Sequence, residues 1–304
     1  MTLTPTARIR HAIVLSVWRL IERLGDHAAQ KATLPDGVRI CADIPYLDDG
    51  IPAHRLDVYS PKAVDGPLPV IIYFHGGGFV AGDKSHMRQY CMALANEGYV
   101  VFNINYRLAP VYKNPAQIED VLAALAWIKV NGDSYQGDTN RIFLAGDSAG
   151  AYLAGLAAAV CTNGRLAAKL GLRPPLTEQD IRGVLFFCGL FDLQTASKRK
   201  FISLKSDIEM MTGTVDLRGL DNYSVLKNIT ANYPPVFISS GKVDGLHPES
   251  EQLISALAEK EINYTALLFD RSEKKAFHAF QQHLALHTAK QCMAEALNFL
   301  RQNV

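Results

Sequence analysis

A serine stands at the centre of the run Gly146-Asp147-Ser148-Ala149-Gly150, between an apolar β-type segment and a helical segment. A nucleophile elbow requires this setting, because a sharp strand-to-helix turn lifts the serine hydroxyl above the edge of the sheet. Small neighbours tolerate the crowded backbone dihedrals of such a turn. The five-residue pattern is a weak signal when isolated, but its position between a strand and a helix favours nucleophilic catalysis by Ser148.

A second glycine-rich motif, His75-Gly76-Gly77-Gly78, lies at the end of an earlier apolar segment. Consecutive glycines let the backbone approach a bound ligand closely and point N–H groups at it. The tetrahedral intermediate of acyl transfer needs such donors for its developing oxyanion. A phosphate-binding loop is the alternative, but in Gly82-Asp83-Lys84-Ser85 the inserted Asp83 breaks the required spacing and would repel phosphate.

A serine nucleophile needs a base and an acid that orients the base. Among nine histidines, His278 stands out because it follows the last β-type segment after a short polar loop. Asp244 follows the preceding β-type segment in the same way. The carboxyl ends of parallel strands meet at one edge of a sheet, so we expect both side chains near Ser148. The chain order Ser, Asp, His suits this topology.

The elements that must position these residues follow an alternating pattern from residue 68 onwards. Continuous apolar runs indicate strands that are covered on both faces, at 69–74, 99–104, 141–145, 183–187, 235–239 and 264–269. Helical segments lie between most of them, at 87–97, 116–130, 149–161, 249–259 and 284–300. Two short extended segments, 38–44 and 55–59, precede the alternation. The fold class is therefore α/β, with a mostly parallel central sheet and helices on both faces.

Two regions do not fit the alternation. In the first, residues 1–35, apolar residues at helical spacing predict an amphipathic helix over 13–24 that ends at Gly25. The second, residues 193–233, is too long for an unstructured loop in a compact domain, which favours helical lid material. We therefore divide the chain into a catalytic domain, 36–192 and 234–304, and a cap region, 1–35 and 193–233.

Composition and charge exclude several classes of protein. The 304 residues are 48% hydrophobic and carry a formal net charge of +1, which excludes global disorder and argues against a dedicated nucleic-acid binder. Five scattered cysteines form neither a disulfide framework nor a metal site, and free thiols suit a reducing compartment. Without a recognisable signal peptide or an apolar run of about 18 residues, the sequence predicts a cytoplasmic protein with no membrane span.

Taken together, the motifs resemble the hormone-sensitive-lipase-like branch of the α/β-hydrolases, which are carboxylesterases. The resemblance runs from about His54 to the C-terminus and rests on five segments: 75–78, 106–110, 146–150, 244–246 and 278–280. It implies a catalytic triad of Ser148, Asp244 and His278. It also implies an oxyanion hole formed by the backbone N–H groups of Gly77, Gly78 and Ala149, and a helical cap built from the N-terminal segment and the insertion before the acid-bearing strand.

The chain departs from the family pattern at two places. After the segment 106–110 the family usually has Glu and later an aromatic residue, where this chain has Val111 and Asn114. The acid motif usually reads Asp-Pro-Leu, where this chain has Asp244-Gly245-Leu246. Some α/β-hydrolases take their acid from the earlier strand, which makes Asp192 the rival to Asp244.

The leading hypothesis is a serine carboxylesterase that hydrolyses short-chain acyl esters of small molecules through an acyl-enzyme, without metal or organic cofactor. The same machinery would serve an amidase or a lactonase. The alternative from another class is a non-catalytic small-molecule binding protein on a hydrolase scaffold, although such proteins lose the histidine that this chain retains as His278. A membrane-surface lipase is a third hypothesis, but a cap helix is favoured for the N-terminal segment. A homo-oligomer is left open.

Overall fold

The computed structural model of the chain describes residues 5–30, 36–63, 65–199, 201 and 203–304, with the side chains of 24–30 excepted. Within these residues eight strands form one sheet in the order β1-β2-β4-β3-β5-β6-β7-β8. The strands are β1 Val38–Pro45, β2 Arg55–Pro61, β3 Leu68–Phe74, β4 Val100–Ile104, β5 Gly137–Asp147, β6 Ile181–Phe187, β7 Val236–Gly241 and β8 Tyr264–Phe269. Strand β2 runs antiparallel to both of its neighbours, and the remaining pairs are parallel.

The helices lie between the strands and around them. They are α1 Pro5–Gln30, α2 Arg88–Asn96, α3 Ala116–Asn131, α4 Ala149–Thr162, α5 Gly164–Leu170, α6 Leu193–Ala196, α7 Leu204–Thr212, α8 Val225–Asn228, α9 His247–Glu259 and α10 His287–Gln302. None of these described helices is both long and apolar enough to span a membrane.

The sheet separates two hydrophobic cores. Along β3, Val70, Ile72 and Phe74 belong to one core, whereas Ile71 and Tyr73 belong to the other, because successive side chains of a strand point to opposite faces. Helices α3, α4 and α9 contribute to the first core, and α2 and α10 contribute to the second. The predicted α/β class, with a mostly parallel sheet covered on both faces, is confirmed.

Two helices differ from the sequence-based prediction. Helix α1 does not end at Gly25 but continues to Gln30. A glycine inside a helix costs only about 1 kcal/mol relative to alanine, so it does not stop a helix by itself. Helix α5 was not predicted, although its signals are local: the Asn163 side chain accepts a hydrogen bond from the backbone N–H of Leu166, and Gly171 ends the helix at φ +67°.

The amphipathic face of α1 also lies differently from the expectation for a cap helix. The predicted apolar stripe, which includes Ile13, Val17 and Leu20, is exposed. The buried residues Ala7 and His11 lie on the opposite face of the helix. Polar contacts to α7 and the packing of Val14, Leu15 and Trp18 against the first core, rather than the exposed stripe, therefore hold this helix.

The insertion 193–233 contains α6, α7, α8 and a 3-10 turn at Asp221–Tyr223, in agreement with the expectation of helical material. Helix α7 packs against α1. The carboxylate of Glu209 on α7 is buried and receives hydrogen bonds from Arg10 and from His11 Nε2 (3.1 Å). These bonds join the two regions that the sequence assigns to a cap; that they act as a separate cap domain remains a prediction.

Candidate active site

Ser148 lies at the turn between β5 and α4 with φ +52° and ψ −116°. A non-glycine residue rarely adopts positive φ, so the surrounding structure must enforce this conformation. The backbone N–H of Ser148 donates to the carbonyl of Phe187 at the end of β6 (3.0 Å). The flanking glycines are required by space, since a Cβ on Gly150 would lie 2.0 Å from the Phe74 carbonyl oxygen and one on Gly146 would lie 2.4 Å from the carbonyl carbon of Gly150.

His278 and Asp244 form a hydrogen-bonded pair. The Nδ1–H of His278 donates to Oδ2 of Asp244 (2.9 Å), and the other carboxylate oxygen accepts the backbone N–H of Leu246 (2.9 Å). Asp244 follows β7 and His278 follows the adjacent strand β8, so the two loops leave the sheet side by side. The side chain of Asp244 is fully buried, whereas that of His278 is 25% exposed. This arrangement holds one histidine tautomer and leaves Nε2 free to face a serine hydroxyl.

Asp192, the rival acid, is engaged elsewhere. Its Oδ1 accepts the backbone N–H groups of Gln194 and Thr195, both at 2.9 Å, and so caps the N-terminus of α6. Such a cap is the ordinary use of an aspartate that opens a helix. The structure therefore brings His278 together with Asp244 and gives Asp192 a structural partner.

The glycine loop after β3 adopts a conformation that side chains would block. Gly77 has φ +112°, and a Cβ there would lie 2.1 Å from the carbonyl oxygen of Ala81. The carbonyl of Gly77 accepts the N–H groups of Val80 (3.2 Å) and Ala81 (3.0 Å). Within the described chain, the N–H groups of Gly77, Gly78 and Ala149 donate no hydrogen bond to another residue. They remain available to a ligand, as an oxyanion hole requires.

Ser148, His278 and Gly77 line one pocket of about 560 Å³, whereas Gly78 and Ala149 are not part of its lining. Trp18 and Glu22 of α1 also line this pocket. The N-terminal helix therefore contributes directly to the wall of the candidate site.

Two buried titratable groups flank the serine and the glycine loop. Burial raises the pKa of Asp147 to about 6, although the hydroxyl of Tyr73 (3.0 Å) and the nearby His278 oppose the shift. Burial also lowers the pKa of His75 to about 4. The neutral ring of His75 stacks on Tyr106 at 4.4 Å, and its Nδ1–H donates to the carbonyl of Gly76 (2.7 Å). Both groups hydrogen-bond to Gly76, which directly precedes the residues that carry the free N–H donors.

The insertion reaches the site through residues that sequence reasoning missed. The ring of Phe201 meets the His278 ring edge to face, with centroids 4.6 Å apart. Asp207 on α7 accepts hydrogen bonds from Trp18 Nε1 (3.1 Å) and from the Ser203 hydroxyl (2.6 Å). Its Oδ2 lies 2.8 Å from the point where a Cβ of Gly78 would stand. Burial raises the pKa of Asp207 to about 7. No local motif marks these residues, because their roles depend on contacts between distant segments.

Cys188 lies beside the pair of His278 and Asp244, and the three side chains place potential metal ligands within 4.8 Å of one another. Metal binding requires a thiolate. Burial instead raises the pKa of the Cys188 thiol well above its usual value, with the Asp244 charge as a further cause. The protonated thiol hydrogen-bonds the carboxylate of Asp244. The donor set therefore suits a carboxylate–histidine pair better than a metal centre.

Comparison with known proteins agrees with this geometry. The BD-FAE family model matches residues 56–257, which is most of the chain. The chain belongs to the BD-FAE family. It is 29% identical over 234 residues to the esterase LipC of Mycobacterium tuberculosis (73% of this chain, 57% of that protein). It is 30% identical over 261 residues to the probable carboxylic ester hydrolase LipM of the same organism (81% of this chain, 58% of that protein). The chain thus spans less than two thirds of the length of these relatives.

Solved structures share the fold. Esterase B from Lactobacillus rhamnosis superposes with a TM-score of 0.89 at 24% identity, covering 98% of this chain and 96% of that one. An esterase from the bacterial hormone-sensitive lipase family superposes with a TM-score of 0.74 at 20% identity, covering 100% of this chain and 99% of that one. The resemblance to the hormone-sensitive-lipase-like branch of the α/β-hydrolases is therefore confirmed at the level of the fold.

Proposed function

We propose that this protein is a serine carboxylesterase. The observation that carries the proposal is the hydrogen bond from His278 Nδ1 to the buried carboxylate of Asp244, because His278 lines the same pocket as Ser148. A buried acid that orients a histidine beside a serine at a strand-to-helix turn is the arrangement of nucleophilic acyl transfer. Membership of the family and the names of the relatives support the same reaction class.

In this mechanism the Oγ atom of Ser148 attacks the ester carbonyl carbon while His278 Nε2 accepts the hydroxyl proton. The N–H groups of Gly77, Gly78 and Ala149 stabilise the oxyanion of the tetrahedral intermediate. His278 then protonates the leaving alcohol, and the ester C–O bond breaks. A water molecule, deprotonated by the same histidine, then attacks the carbonyl carbon of the acyl-enzyme. The bond from that carbon to Ser148 Oγ breaks, His278 returns the proton to Oγ, and the carboxylic acid leaves. Asp244 holds the histidine tautomer and stabilises the imidazolium.

The substrate that the pocket favours is a small ester with a short acyl chain. The pocket has a volume of about 560 Å³, within the ordinary range for a small ligand. Trp18 on one side and Phe201 against His278 limit the space beside the reacting atoms. Amides and lactones could use the same groups, and comparison of their kcat/KM with that of the matching ester tests the preference. The described cysteines are unpaired, which supports the proposal of a reducing, cytoplasmic location.

The test compares the wild type with Ser148→Ala on a short nitrophenyl ester. Loss of the nucleophile should lower kcat by about 10⁶-fold, in line with other triads, without unfolding the protein. A phosphonate inhibitor should label the wild type on Ser148, as read by peptide mass spectrometry. Labelling at another residue, or an undiminished rate in Ser148→Ala, would refute the serine mechanism.

The alternative function, a binding protein on a hydrolase scaffold, makes a different prediction in the same assay. Such a protein should bind an ester without releasing nitrophenol, and phosphonate should not modify it. The intact pair of His278 and Asp244 argues against this alternative, because a pure binding site has no need of an oriented base.

A further inference from the structure

Helix α1 presents an apolar face to solvent. Ile9, Ile13, Val17 and Leu20 are between 48 and 64% exposed. Their spacings of four, four and three residues place them on one side of the helix. They line a shallow surface groove together with Ala12 and Ser16. A continuous aliphatic surface of this kind marks an interaction site in a soluble domain, because single exposed apolar residues are ordinary but a stripe is not.

Between residues 5 and 23, the charges beside this face have one sign. Arg8, Arg19 and Arg23 are exposed, and none of them pairs with an acidic side chain among the described residues. Between residues 5 and 23 the sequence contains one acidic residue, Glu22, whose Oε1 accepts the backbone N–H of Gly82 (2.9 Å). That carboxylate therefore faces the rest of the protein and does not neutralise the arginines. The outer side of the helix combines aliphatic residues with unpaired arginines.

We propose that this face of α1 docks on an anionic lipid surface. A helix with an aliphatic face and arginines beside it lies in the plane of a membrane interface, with the apolar residues below the headgroups and the cations among the phosphates. A second copy of the chain fits less well, because it would set Arg8, Arg19 and Arg23 near the same residues of its partner without acidic groups to neutralise them.

The docking face adjoins the candidate site, and here the inference rests on the proposed function. Ile21 is 49% exposed and also lines the pocket that contains Ser148. Trp18, three residues before Ile21, and Glu22, the residue after it, line the same pocket. A membrane bound to the outer face of α1 would therefore lie beside the pocket wall. An ester dissolved in that membrane could pass to Ser148 along Ile21 without crossing bulk water.

The contacts that hold α1 on the protein are separate from its outer apolar face. On α7, Glu209 accepts hydrogen bonds from Arg10 and His11 of α1, and Asp207 accepts one from Trp18. These bonds form on the inward side of the helix. Ile13 and Val17 lie on its outer side and do not line the pocket that contains Ser148. Substitution of Ile13 and Val17 therefore tests the surface separately from the chemistry.

The experiment measures co-sedimentation of the full chain with phosphatidylcholine vesicles, with and without phosphatidylserine. The wild type should bind the anionic vesicles, and Ser148→Ala should bind equally well. The double variant Ile13→Asp, Val17→Asp should bind more than about tenfold more weakly. The double variant Arg19→Gln, Arg23→Gln should lose about fivefold per arginine on anionic vesicles only. Val130→Asp, at an exposed valine on α3, is the control for an added surface charge away from α1 and should bind as the wild type does.

All variants should keep the circular dichroism spectrum of the wild type. The surface variants, but not Ser148→Ala, should also keep the wild-type rate on a water-soluble ester. Absence of wild-type binding to anionic vesicles, or equal binding by the double variant Ile13→Asp, Val17→Asp, would overturn the inference. A concentration-dependent dimer that the same variant abolishes, in a protein that ignores vesicles, would assign the face to a second copy instead. If the protein hydrolyses esters but gives either of these results, the membrane proposal fails and the proposed function stands. If it binds vesicles but hydrolyses no ester, the proposed function fails and the membrane proposal stands.

Discussion

The Nδ1 atom of His278 lies 2.9 Å from Oδ2 of Asp244, across a separation of 34 residues in the chain. The contact forms because β7 and β8 are adjacent parallel strands, whose carboxyl ends release both loops at the same edge of the sheet. The second carboxylate oxygen is held by the N–H of Leu246, so the acid cannot rotate freely. A fixed acid keeps the proton on Nδ1 of the imidazole and thereby leaves Nε2 to face Ser148.

The choice of acid leads to the first prediction. Asp244→Asn should lower kcat by about 10⁴-fold, because the amide favours the wrong histidine tautomer and cannot stabilise the imidazolium. Asp192→Asn is the matched control and should change kcat by less than about tenfold, since asparagine also caps a helix. Both variants are assayed on one short ester, with circular dichroism to verify folding. If Asp192→Asn proves the more damaging, the acid assignment is wrong.

The second prediction concerns the pH dependence of stability. Burial raises the pKa of Asp207 from 3.8 to about 7, so the folded state binds this proton more tightly than the unfolded state. The stabilising contribution is complete below about pH 4 and is lost as the pH rises to about 7. Asp207→Asn removes the titration, so its Tm should rise relative to that of the wild type across this window. Scanning calorimetry at several pH values measures the difference, and parallel pH profiles would contradict it.

Trp18 supplies the third prediction, on chain-length preference. Trp18→Ala should enlarge the pocket and raise kcat/KM for octanoyl relative to acetyl nitrophenyl esters by about tenfold. Trp127→Ala, at the second tryptophan, is the control: this ring packs near Tyr135, away from the pocket, and its loss should leave the ratio unchanged. An unchanged ratio in Trp18→Ala would show that Trp18 does not limit the length of the acyl chain.

The fourth prediction tests Cys188. Its thiol is buried and its pKa is raised, so alkylation by iodoacetamide should be undetectable in the folded protein and complete after denaturation. Cys188→Ala should lower kcat by less than about tenfold, because Asp244 keeps its bonds to Leu246 and His278. A larger loss, in a variant that remains folded, would give the thiol a greater part in positioning the acid.

Much of the fold could be predicted from the sequence because its signals are local. Continuous apolar runs reported strands that are buried on both faces, and the alternation with helical segments gave the α/β class. The setting of Ser148 between a strand and a helix could also be predicted, since both flanking elements and the small residues of the turn lie within about a dozen positions of the serine. The misplaced end of α1 was a local error, because Gly25 carries too small a penalty to end a helix in favourable surroundings.

What the sequence by itself determined is the sheet, the serine turn and the short set of acids and bases at strand ends, because neighbouring residues specify those features. The family resemblance already favoured Asp244 over Asp192 as the acid. Only the tertiary structure shows the contact of Asp244 with His278 and the cap that Asp192 forms on α6, because these depend on how the loops after separate strands are placed. It also decided that α1 turns Trp18 toward Asp207 and its aliphatic face outward. An amphipathic pattern identifies two faces of a helix, but the partner, 189 residues away in this contact, selects which face is buried.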